Sequence, residues 1–554
     1  MYNNYDVCPQ LPWMVDFHAT DPSKHKNQLA AAFAPKALQH LALLDCQAKP
    51  SKFKATKILA TITNVAQCNT IESLCQSGLS GVRMVFEKFE TWKEKRLAEE
   101  MVSKVKVVNE NYSKKIGRVN PLVVMMDIPC PKIHIGTKRE EFKRDALIEK
   151  MCTTILKNDP GNHKKYSIVS NRTTDEKLAS SVEPEYQVKF DDRLVPYSTI
   201  KIVESVVDCI VQDAADIFLE EPTNVPDQEM NEFTVEGEQM IKFASKNNID
   251  VVILSKVQTK RNVTNTKKLL HCNKAEHILI IPKIDNAIAL DNFDEILEES
   301  DGICLDCGQL MLEIPREKVF LAQKSIVAKC QNKRGKVVIV TTEVVDHKSF
   351  SKSEICDLAN SIIEAIDGLL LSDEATTVNS IKNLTKLCKE AEPAIYHKQL
   401  FNDLTDELSL VEPIYSLVMS TVNLSLKCNA SAIILTTSSG RTAKLLSMFR
   451  PRCPIVAITR HRRVCRQLQL FRSVHPVLYT KQYQGDWLAE IDDRLQLGVT
   501  YGKLNRFIYG EDVVVTVSPV RPDSGFTNNV RVFFASYFDD SNRVSKGSLY
   551  SIKR

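Results

Sequence analysis

The sequence of 554 residues lacks any apolar run that approaches the roughly 20 residues needed to span a bilayer. Its first residues, MYNNYDVCPQLPWMVDFHAT, have neither a basic segment nor a long apolar core, so no secretory signal is expected. Neither sign of charge dominates, because 73 basic and 69 acidic residues are mixed along the chain. This balance argues against a dedicated nucleic-acid surface. We expect a soluble protein that binds neither membranes nor nucleic acid.

A disulfide framework is also missing. The 16 cysteines are scattered without regular spacing, so a reducing, cytoplasmic setting is expected. Cys304 and Cys307 form a CxxC pair, but a zinc ribbon needs a second pair, and the sequence has none at similar spacing. The pair is interpreted as one buried thiol and one thiol at the rim of a site.

Short apolar segments rich in β-branched residues recur between longer amphipathic stretches. Their continuous hydrophobicity is typical of parallel strands buried on both faces. Eight such strand–helix units predict a (β/α)8 TIM barrel, whose active site lies at the carboxyl ends of its strands. The segments are ATKILATI (55–62), GVRMVFE (81–87), NPLVVMMDI (120–128), DVVILSKV (250–257), HILIIPKI (277–284), GICLDC (302–307), KVVIVTTE (336–343) and GLLLSDE (368–374).

Two further domains are predicted. The gap between the third and fourth strands is too long for one helix and contains short strands and turns typical of a small inserted β domain. After the barrel, five strands alternate with helices and predict an open α/β domain. The predicted segments are an N-terminal segment (1–49), the first part of the barrel (50–136), the inserted β domain (137–221), the second part of the barrel (222–395) and the C-terminal α/β domain (396–554).

Polar residues at the predicted strand ends indicate the chemistry of the barrel. Arg83 lies near the end of the second strand, Asp127 ends the third, and Thr342 lies near the end of the seventh. Lys283 and Asp285 stand at the end of the fifth. Basic residues favour an anionic substrate, and a neighbouring acid favours a divalent cation.

The sixth strand is different. In SDGICLDCGQLMLEIPREK (300–318), the strand is followed by Cys307, Gly308 and Gln309, and none of them is charged. We interpret this rim as one that has lost its acid.

Three long motifs resemble the pyruvate kinase family: SDGICLDCGQLMLEIPREKVFLAQK, EAEPAIYHKQLF and VRPDSGFTNNVRV. The resemblance runs in the family's order over nearly the whole chain. It implies the three-domain architecture already predicted, usually assembled as a tetramer. It also implies phosphoryl transfer from phosphoenolpyruvate to ADP, giving pyruvate and ATP, with Mg2+ or Mn2+ and usually K+.

The resemblance assigns the substrate and cation positions near the second strand. The family motif ARMNFSHG matches VRMVFEK, in which Arg83 is the phosphate-binding arginine. The asparagine and serine that ligate K+ are replaced by Val85 and Glu87, and the nucleotide-side histidine by Lys88.

A second motif, LDTKGPEIR, matches MDIPCPKIH. Its aspartate is retained as Asp127, its K+-ligating threonine is Ile128, and its nucleotide-contacting arginine is His134. Its glutamate is Lys132, as in family members that work without K+, so this ammonium could take the place of the cation. A solvated surface lysine is the alternative.

The resemblance also implies that Lys283 stabilises the enolate, that Thr342 lies near the proton-transfer step, and that Asp285 and Gln309 stand where a glutamate and an aspartate hold the divalent metal. Loss of one charge at ~4 Å from Mg2+ forfeits roughly 8 kcal/mol gross at a dielectric of about 20, much of it offset by desolvation. A residual ~3 kcal/mol still weakens metal affinity by about two powers of ten. Met311 replaces the loop's second glycine. We expect phosphoryl transfer to be weak or absent.

The segment TTSSGRT (436–442) suits a phosphate, because hydroxyls and backbone N–H groups meet at a helix N-terminus. An ordinary capped turn is the alternative. In the family the matching loop binds a phosphate of the activator fructose 1,6-bisphosphate, although its lysine is Ser438 here and one glycine of the closing loop is Asp523. The matched effector residues are Thr437, Ser439, Gly440, Arg441, Thr442, Trp487, Arg494, Arg521, Ser524 and Gly525.

Two functions remain open. One is an enzyme that still turns over phosphoenolpyruvate and ADP, which is favoured by Lys283, Arg83, Thr342 and Lys132. The other is a non-catalytic structural or regulatory subunit, in a homotetramer or a mixed oligomer with a paralogue, which is favoured by Gln309, Asp285, Met311, Pro129 and His134. Affinity for a divalent metal would discriminate between the two.

Overall fold

The computed structural model describes residues 28–129 except 87, 88 and 90, and residues 235–536 except 333–334, 343–350, 374, 409–410, 484 and 522–525. Between residues 130 and 234 it describes the backbone of the strands.

Eight strands close into a barrel, in which each strand neighbours the next along the chain and β8 neighbours β1. The pairing is parallel, for example between β1 and β2 and between β5 and β6. All six residues of β1 are buried, as expected for a strand covered on both faces. The predicted (β/α)8 barrel is therefore confirmed. Its strands are β1 (Lys57–Ile62), β2 (Gly81–Met84), β3 (Val123–Pro129), β4 (Val251–Ser255), β5 (Leu279–Ile284), β6 (Gly302–Leu305), β7 (Val337–Thr342) and β8 (Gly368–Leu371).

A separate mixed sheet lies in the insertion between β3 and β4. Its strands close in the order Val206–Val211, Thr153–Lys157, Ser167–Ser170, Ile133–Gly136, Pro222–Asn224, Gln187–Phe190 and Pro196–Val203. A second, two-stranded sheet pairs Ala215–Phe218 with Asp145–Ile148. The β character predicted for this insertion is confirmed.

The C-terminal α/β domain is built on a five-stranded sheet with the order β11-β10-β9-β12-β13. The first four strands pair in parallel, and β13 pairs with β12 in antiparallel fashion. The five strands agree with the five predicted from the sequence. They are β9 (Ala432–Thr436), β10 (Ile455–Thr459), β11 (Val474–Leu478), β12 (Val513–Ser518) and β13 (Asn529–Phe534).

Helices connect most of these strands, and several begin at a capping residue that the sequence shows clearly. Thr91 and Glu94 form a reciprocal capping box at the start of the helix Trp92–Lys115. The helices are α1 (Leu29–Ala32), α2 (Ala37–Ala42), α3 (Ile71–Ser77), α4 (Trp92–Lys115), α5 (Val235–Lys246), α6 (Lys260–Cys272), α7 (Ala287–Asp291), α8 (Phe293–Glu299), α9 (Cys307–Leu310), α10 (Val319–Asn332), α11 (Lys352–Ile363), α12 (Val378–Ala391), α13 (His397–Asp406), α14 (Pro413–Lys427), α15 (Arg441–Met448), α16 (Arg462–Gln467) and α17 (Trp487–Leu504). Short 3-10 helices cover Gln67–Thr70, Arg316–Lys318, Glu392–Ala394 and Leu468–Leu470.

The chain divides into two compact units. The first contains the described residues of 1–126, 249–251 and 324–554, and the second those of 127–248 and 252–323. Within the first unit, Arg450 donates to both carboxylate oxygens of Asp367 at 2.6 and 2.8 Å, and both side chains are 2% exposed. This pair links the loop after α15 to the residue that precedes β8.

Candidate active site

An ion pair lies at the carboxyl ends of β5 and β6, in the second unit. The Lys283 ammonium is 2.5 Å from Asp306 Oδ2, and the two side chains are 12% and 8% exposed. Lys283 is the last residue but one of β5, and Asp306 directly follows β6. Because these strands pair in parallel, their carboxyl ends meet at the same edge and bring the two side chains together.

Asp306 is an acid at this rim that was not recognised from the sequence. β6 ends at Leu305, and Asp306 is the first residue beyond it. The Asp306 carboxylate also caps α9, where its Oδ1 accepts a hydrogen bond from Gln309 N at 3.3 Å. The sequence signal was an aspartate just before a short helix, which is a favoured N-cap residue.

Asp285 is almost fully buried beside this ion pair, at 1% exposure. Its Oδ1 accepts a hydrogen bond from Asn286 Nδ2 at 3.0 Å, and its Oδ2 accepts one from Lys256 N at 3.3 Å. Asp285 Oδ2 is also 3.9 Å from Lys283 Nζ. Both oxygens of this carboxylate are therefore engaged by donors.

Asp127 lies in the same unit and is 6% exposed. Its Oδ1 accepts a 2.6 Å hydrogen bond from the hydroxyl of Ser255, the last residue of β4. Lys256 follows with a positive φ of 60°. Its buried Nζ has no hydrogen-bond partner among the described residues. Neither Ser255 nor Lys256 was recognised from the sequence, where nothing marked the end of the fourth strand as functional.

Arg83 and Thr342 belong to the first unit. Arg83 is half-buried on β2, in register with Thr61 of β1 and Met125 of β3. Thr342 ends β7 at 7% exposure, in register with Leu371 of β8. Its hydroxyl is buried and makes no hydrogen bond within the described part of the chain. Both residues thus stand near the carboxyl ends of barrel strands, as predicted.

The two described residues that replace K+ ligands of the family, Val85 and Ile128, are apolar. Ile128 is fully buried in β3, and Val85 is half-buried directly after β2. Neither side chain carries an oxygen atom, so neither can ligate a hard cation. Glu87, Lys88 and Lys132 lie outside the described residues, as do the side chain of His134 and residues Ser524 and Gly525 of the effector loop.

The contacts of Asp285 bear on the divalent cation that the family resemblance implies at this position. Mg2+ requires near-octahedral oxygen ligation. Here the carboxylate oxygens already receive N–H groups, and the Lys283 ammonium lies within 4 Å of Asp285 Oδ2. Among the described residues, no group of three or more His, Cys, Asp or Glu side chains is placed to hold a metal.

The predicted effector loop joins β9 to α15. Gly440 precedes α15 with a φ of +86°, a backbone conformation that favours glycine. Within the loop, Thr437 Oγ1 accepts from Gly440 N at 2.9 Å and Ser439 Oγ accepts from Arg441 N at 3.4 Å. Thr442 shares a 2.8 Å hydrogen bond with the Thr527 hydroxyl. The hydroxyls of Thr437 and Ser439 therefore already bind amides that a phosphate could otherwise use.

The arginines of this region have acidic partners. Arg441 Nη2 is 2.5 Å from Glu412 Oε2 on the surface. Arg494 and Arg460 both donate to Glu490 Oε1. Burial alone would raise the pKa of Glu490, but the hydrogen bond from Arg460 and the charge of Arg494 lower it below its usual value. Arg521 is exposed.

Trp487, the first residue of α17, is half-buried. Its buried indole N–H has no hydrogen-bond partner in the described part of the chain.

A (β/α)8 barrel with lysine and carboxylate side chains at its strand ends is typical of enzymes that act on small anionic substrates. Family comparison identifies the particular group. The pyruvate kinase barrel domain matches residues 53–380, and the pyruvate kinase alpha/beta domain matches residues 415–533. The chain belongs to the pyruvate kinase family.

Curated relatives agree over nearly the full length. The chain is 30% identical over 522 residues to the Homo sapiens protein named Pyruvate kinase PKLR, covering 92% of this chain and 90% of that protein. The Rattus norvegicus protein of the same name is 29% identical over 523 residues, with the same coverage. Pyruvate kinase 2 of Saccharomyces cerevisiae is 28% identical over 515 residues, covering 89% of this chain and 98% of that protein.

Family membership supports the family reaction, with phosphoenolpyruvate and ADP or ATP as substrates. Members of the family generally use Mg2+ and K+. Within the described residues, the helices are all too short or too polar to cross a bilayer.

Proposed function

We propose that this chain performs the pyruvate kinase reaction only slowly, with phosphoenolpyruvate and ADP as substrates. The observation that carries the proposal is the ion pair between Lys283 and Asp306. The family match supports the substrates, and the ion pair is the reason to expect a low rate. The matched positions give Lys283, Arg83 and Thr342 the roles of enolate stabiliser, phosphate ligand and proton-transfer neighbour.

The reaction breaks the bond between phosphorus and the enol oxygen of phosphoenolpyruvate and forms a bond to the terminal phosphate oxygen of ADP. The released enolate then takes a proton at carbon to give pyruvate. A fixed ammonium stabilises the negative charge on the enolate oxygen. In this chain the ammonium of Lys283 already faces the negative charge of Asp306, so the developing enolate must compete with a carboxylate for it.

The loss of rate caused by this ion pair has an upper limit. Removing one preorganised oxyanion donor from an enzyme costs about 10²–10³ in kcat. Lys283 keeps its ammonium, but the contact with Asp306 partly neutralises its charge. We therefore expect a loss in kcat that does not exceed this range. The altered metal position adds to the loss, because Gln309 supplies no negative charge.

We also propose that the cation sites are weakened. The apolar side chains of Val85 and Ile128 support loss of K+ binding, and the Lys132 ammonium would take the place of the cation. The engaged oxygens of Asp285 support weak binding of Mg2+ or Mn2+. The same observation favours a second candidate function, a non-catalytic subunit of a pyruvate-kinase-like homotetramer or mixed oligomer.

The test is steady-state formation of pyruvate from phosphoenolpyruvate and ADP by the purified chain, with Mg2+ or Mn2+ and with or without K+. We expect low turnover that does not respond to K+. Gln309→Asp restores the missing carboxylate and should tighten the apparent metal affinity by about a hundredfold, which corresponds to ~3 kcal/mol.

Gln76→Asp provides the control, because it adds the same charge on the exposed face of α3. Wild-type turnover at the level of an ordinary kinase, about 1–100 per second, would contradict slow catalysis. No turnover by either the wild type or Gln309→Asp would favour the non-catalytic subunit.

A further inference from the structure

A cavity of about 920 Å³ lies in the first unit. Its walls come from α1, the segment that precedes β1, α13, the end of α14, and the loops before β10 and β11. A volume of this size is within the range of small-molecule sites. None of the residues matched to the family's catalytic or effector positions lines it.

Basic side chains outnumber acidic ones in this cavity. Glu392 and Asp512 are its two carboxylates. Its six lysine and arginine residues are Lys49, Lys52, Lys398, Lys427, Arg452 and Arg472. Because low-dielectric walls focus the field of such a charge set, the cavity favours an anion.

Neutral acceptors hold several of these cations. Lys52 Nζ donates to the Tyr509 hydroxyl at 2.6 Å and lies 4.2 Å from the centre of the same ring. Arg452 Nη1 donates to Asn429 Oδ1 at 3.0 Å. The hydrogen bond to the phenol positions the charge of Lys52 without neutralising it.

Arg472 is the most buried of the six, at 1% exposure. Its Nη1 donates to Thr56 Oγ1 at 2.6 Å and to Ile366 O at 2.8 Å, again neutral acceptors. Burial lowers the pKa of Arg472, and the charge of Glu392 opposes this effect. An anion nearby would further stabilise the charged guanidinium.

The two carboxylates of the cavity bind backbone amides. Glu392 accepts from Ala55 N at 2.8 Å and from Thr56 N at 2.7 Å. Asp512 Oδ2 accepts from Tyr509 N at 2.7 Å. Six lysine and arginine side chains against two carboxylates leave the positive charge of the cavity in excess.

Aromatic rings form the rest of the wall. Phe53, Phe401, Phe507 and Tyr509 line the cavity, and Phe33 lines it while 49% exposed. Such rings bind apolar groups and bury large areas. We propose that this cavity binds a small organic anion, in which an apolar or aromatic body carries a carboxylate, sulfonate or phosphate group.

The experiment is a calorimetric titration of the full chain with two probes of nearly the same shape, 2-naphthoate and its neutral analogue 2-naphthamide. We expect naphthoate to bind at least about tenfold more tightly than naphthamide. Lys52→Met should weaken naphthoate binding by about tenfold and leave naphthamide binding unchanged, because it removes one positioned charge, a loss of ~1.4 kcal/mol.

Two further variants locate the site. Ala32→Trp places an indole at a lining position of α1 and should abolish binding of both probes. Lys382→Met, on the exposed face of α12 and outside the cavity, should change neither affinity. Equal affinity for the two probes, equal effects of Lys52→Met and Lys382→Met, or no naphthoate binding at millimolar concentration would each overturn the proposal.

Discussion

The ammonium of Lys283 lies 2.5 Å from Asp306 Oδ2, and the same ammonium lies 3.9 Å from Asp285 Oδ2. One partly buried cation is thus shared between two buried carboxylates at neighbouring strand ends. In the family, a lysine at this position stabilises the negative charge of the substrate. Here the lysine pairs with carboxylates of the protein itself, and this pairing is the basis of the slow catalysis proposed above.

The effector loop leads to a prediction about bisphosphate binding. Glu412→Gln removes the surface partner of Arg441 and makes this guanidinium available to a phosphate. Exposed ion pairs contribute roughly 0.2–1 kcal/mol, so affinity for fructose 1,6-bisphosphate should rise by up to about fivefold in a calorimetric titration. Glu299→Gln, which breaks the exposed pair with Lys267 in the other unit, should have no effect. Unchanged or weaker binding by Glu412→Gln would show that Arg441 does not contact the effector.

The buried pair of Arg450 and Asp367 leads to a prediction about stability. Asp367 also accepts hydrogen bonds from Val338 N and Arg472 N, both at 3.0 Å. Asp367→Asn leaves the guanidinium of Arg450 buried without its counter-charge, which typically costs about 3–5 kcal/mol. We expect a loss of this size in the free energy of unfolding, measured by urea denaturation with circular dichroism.

A matched surface pair provides the control for that measurement. Asp493 pairs with Lys481 at 2.5 Å, with side-chain exposures of 39% and 65%. Asp493→Asn should lower the free energy of unfolding by less than about 1 kcal/mol. Similar losses for Asp367→Asn and Asp493→Asn would contradict the importance of the buried pair.

His397 leads to a prediction about pH. Burial lowers the pKa of His397 from 6.5 to about 3, and the nearby charges of Arg472 and Arg452 contribute to the shift. Its Nδ1 makes a 2.9 Å hydrogen bond with Arg450 O. In the unfolded chain the same imidazole binds a proton near pH 6.5, so the unfolded state holds more protons between about pH 6.5 and 3. The free energy of unfolding should therefore fall through this window as the pH decreases.

The contribution of one histidine approaches about 1.4 kcal/mol per pH unit within the window. His397→Asn keeps an amide that can donate to the Arg450 carbonyl but cannot titrate. The variant should lose stability less steeply than the wild type between pH 6 and 4.5, in urea denaturation at several pH values. If the free energy of unfolding depends on pH in the same way for the two proteins, His397 does not titrate on unfolding.

The sequence was sufficient to predict the strands of the barrel and of the C-terminal sheet. Buried parallel strands require continuous apolar residues, and segments such as KILATI and VVILS show them plainly. Spacing also predicted the inserted β domain, because a single crossover helix cannot occupy so many residues. These features depend on local composition, which is visible without a structure.

The candidate site was predictable only in part. Lys283 and Asp285 were recognised because they stand at an obvious strand end. Asp306 was assigned to the strand itself, and its ion pair depends on where β6 ends and which strand lies beside it. The contacts between Lys256 and Asp285 join residues 29 positions apart. Long-range contacts of this kind are set by strand pairing, which the sequence does not show directly.

Asp306→Asn tests the central claim most directly. Asparagine keeps an oxygen that can cap α9 but removes the charge that faces Lys283. The measurement is kcat for pyruvate formation at saturating phosphoenolpyruvate, ADP and Mg2+, beside Asp301→Asn, which removes an exposed aspartate just before β6. We predict that Asp306→Asn raises kcat by about tenfold or more, a decrease of at least ~1.4 kcal/mol in the barrier, while Asp301→Asn does not. An unchanged or lower kcat for a folded Asp306→Asn protein would contradict the claim that this carboxylate restrains Lys283.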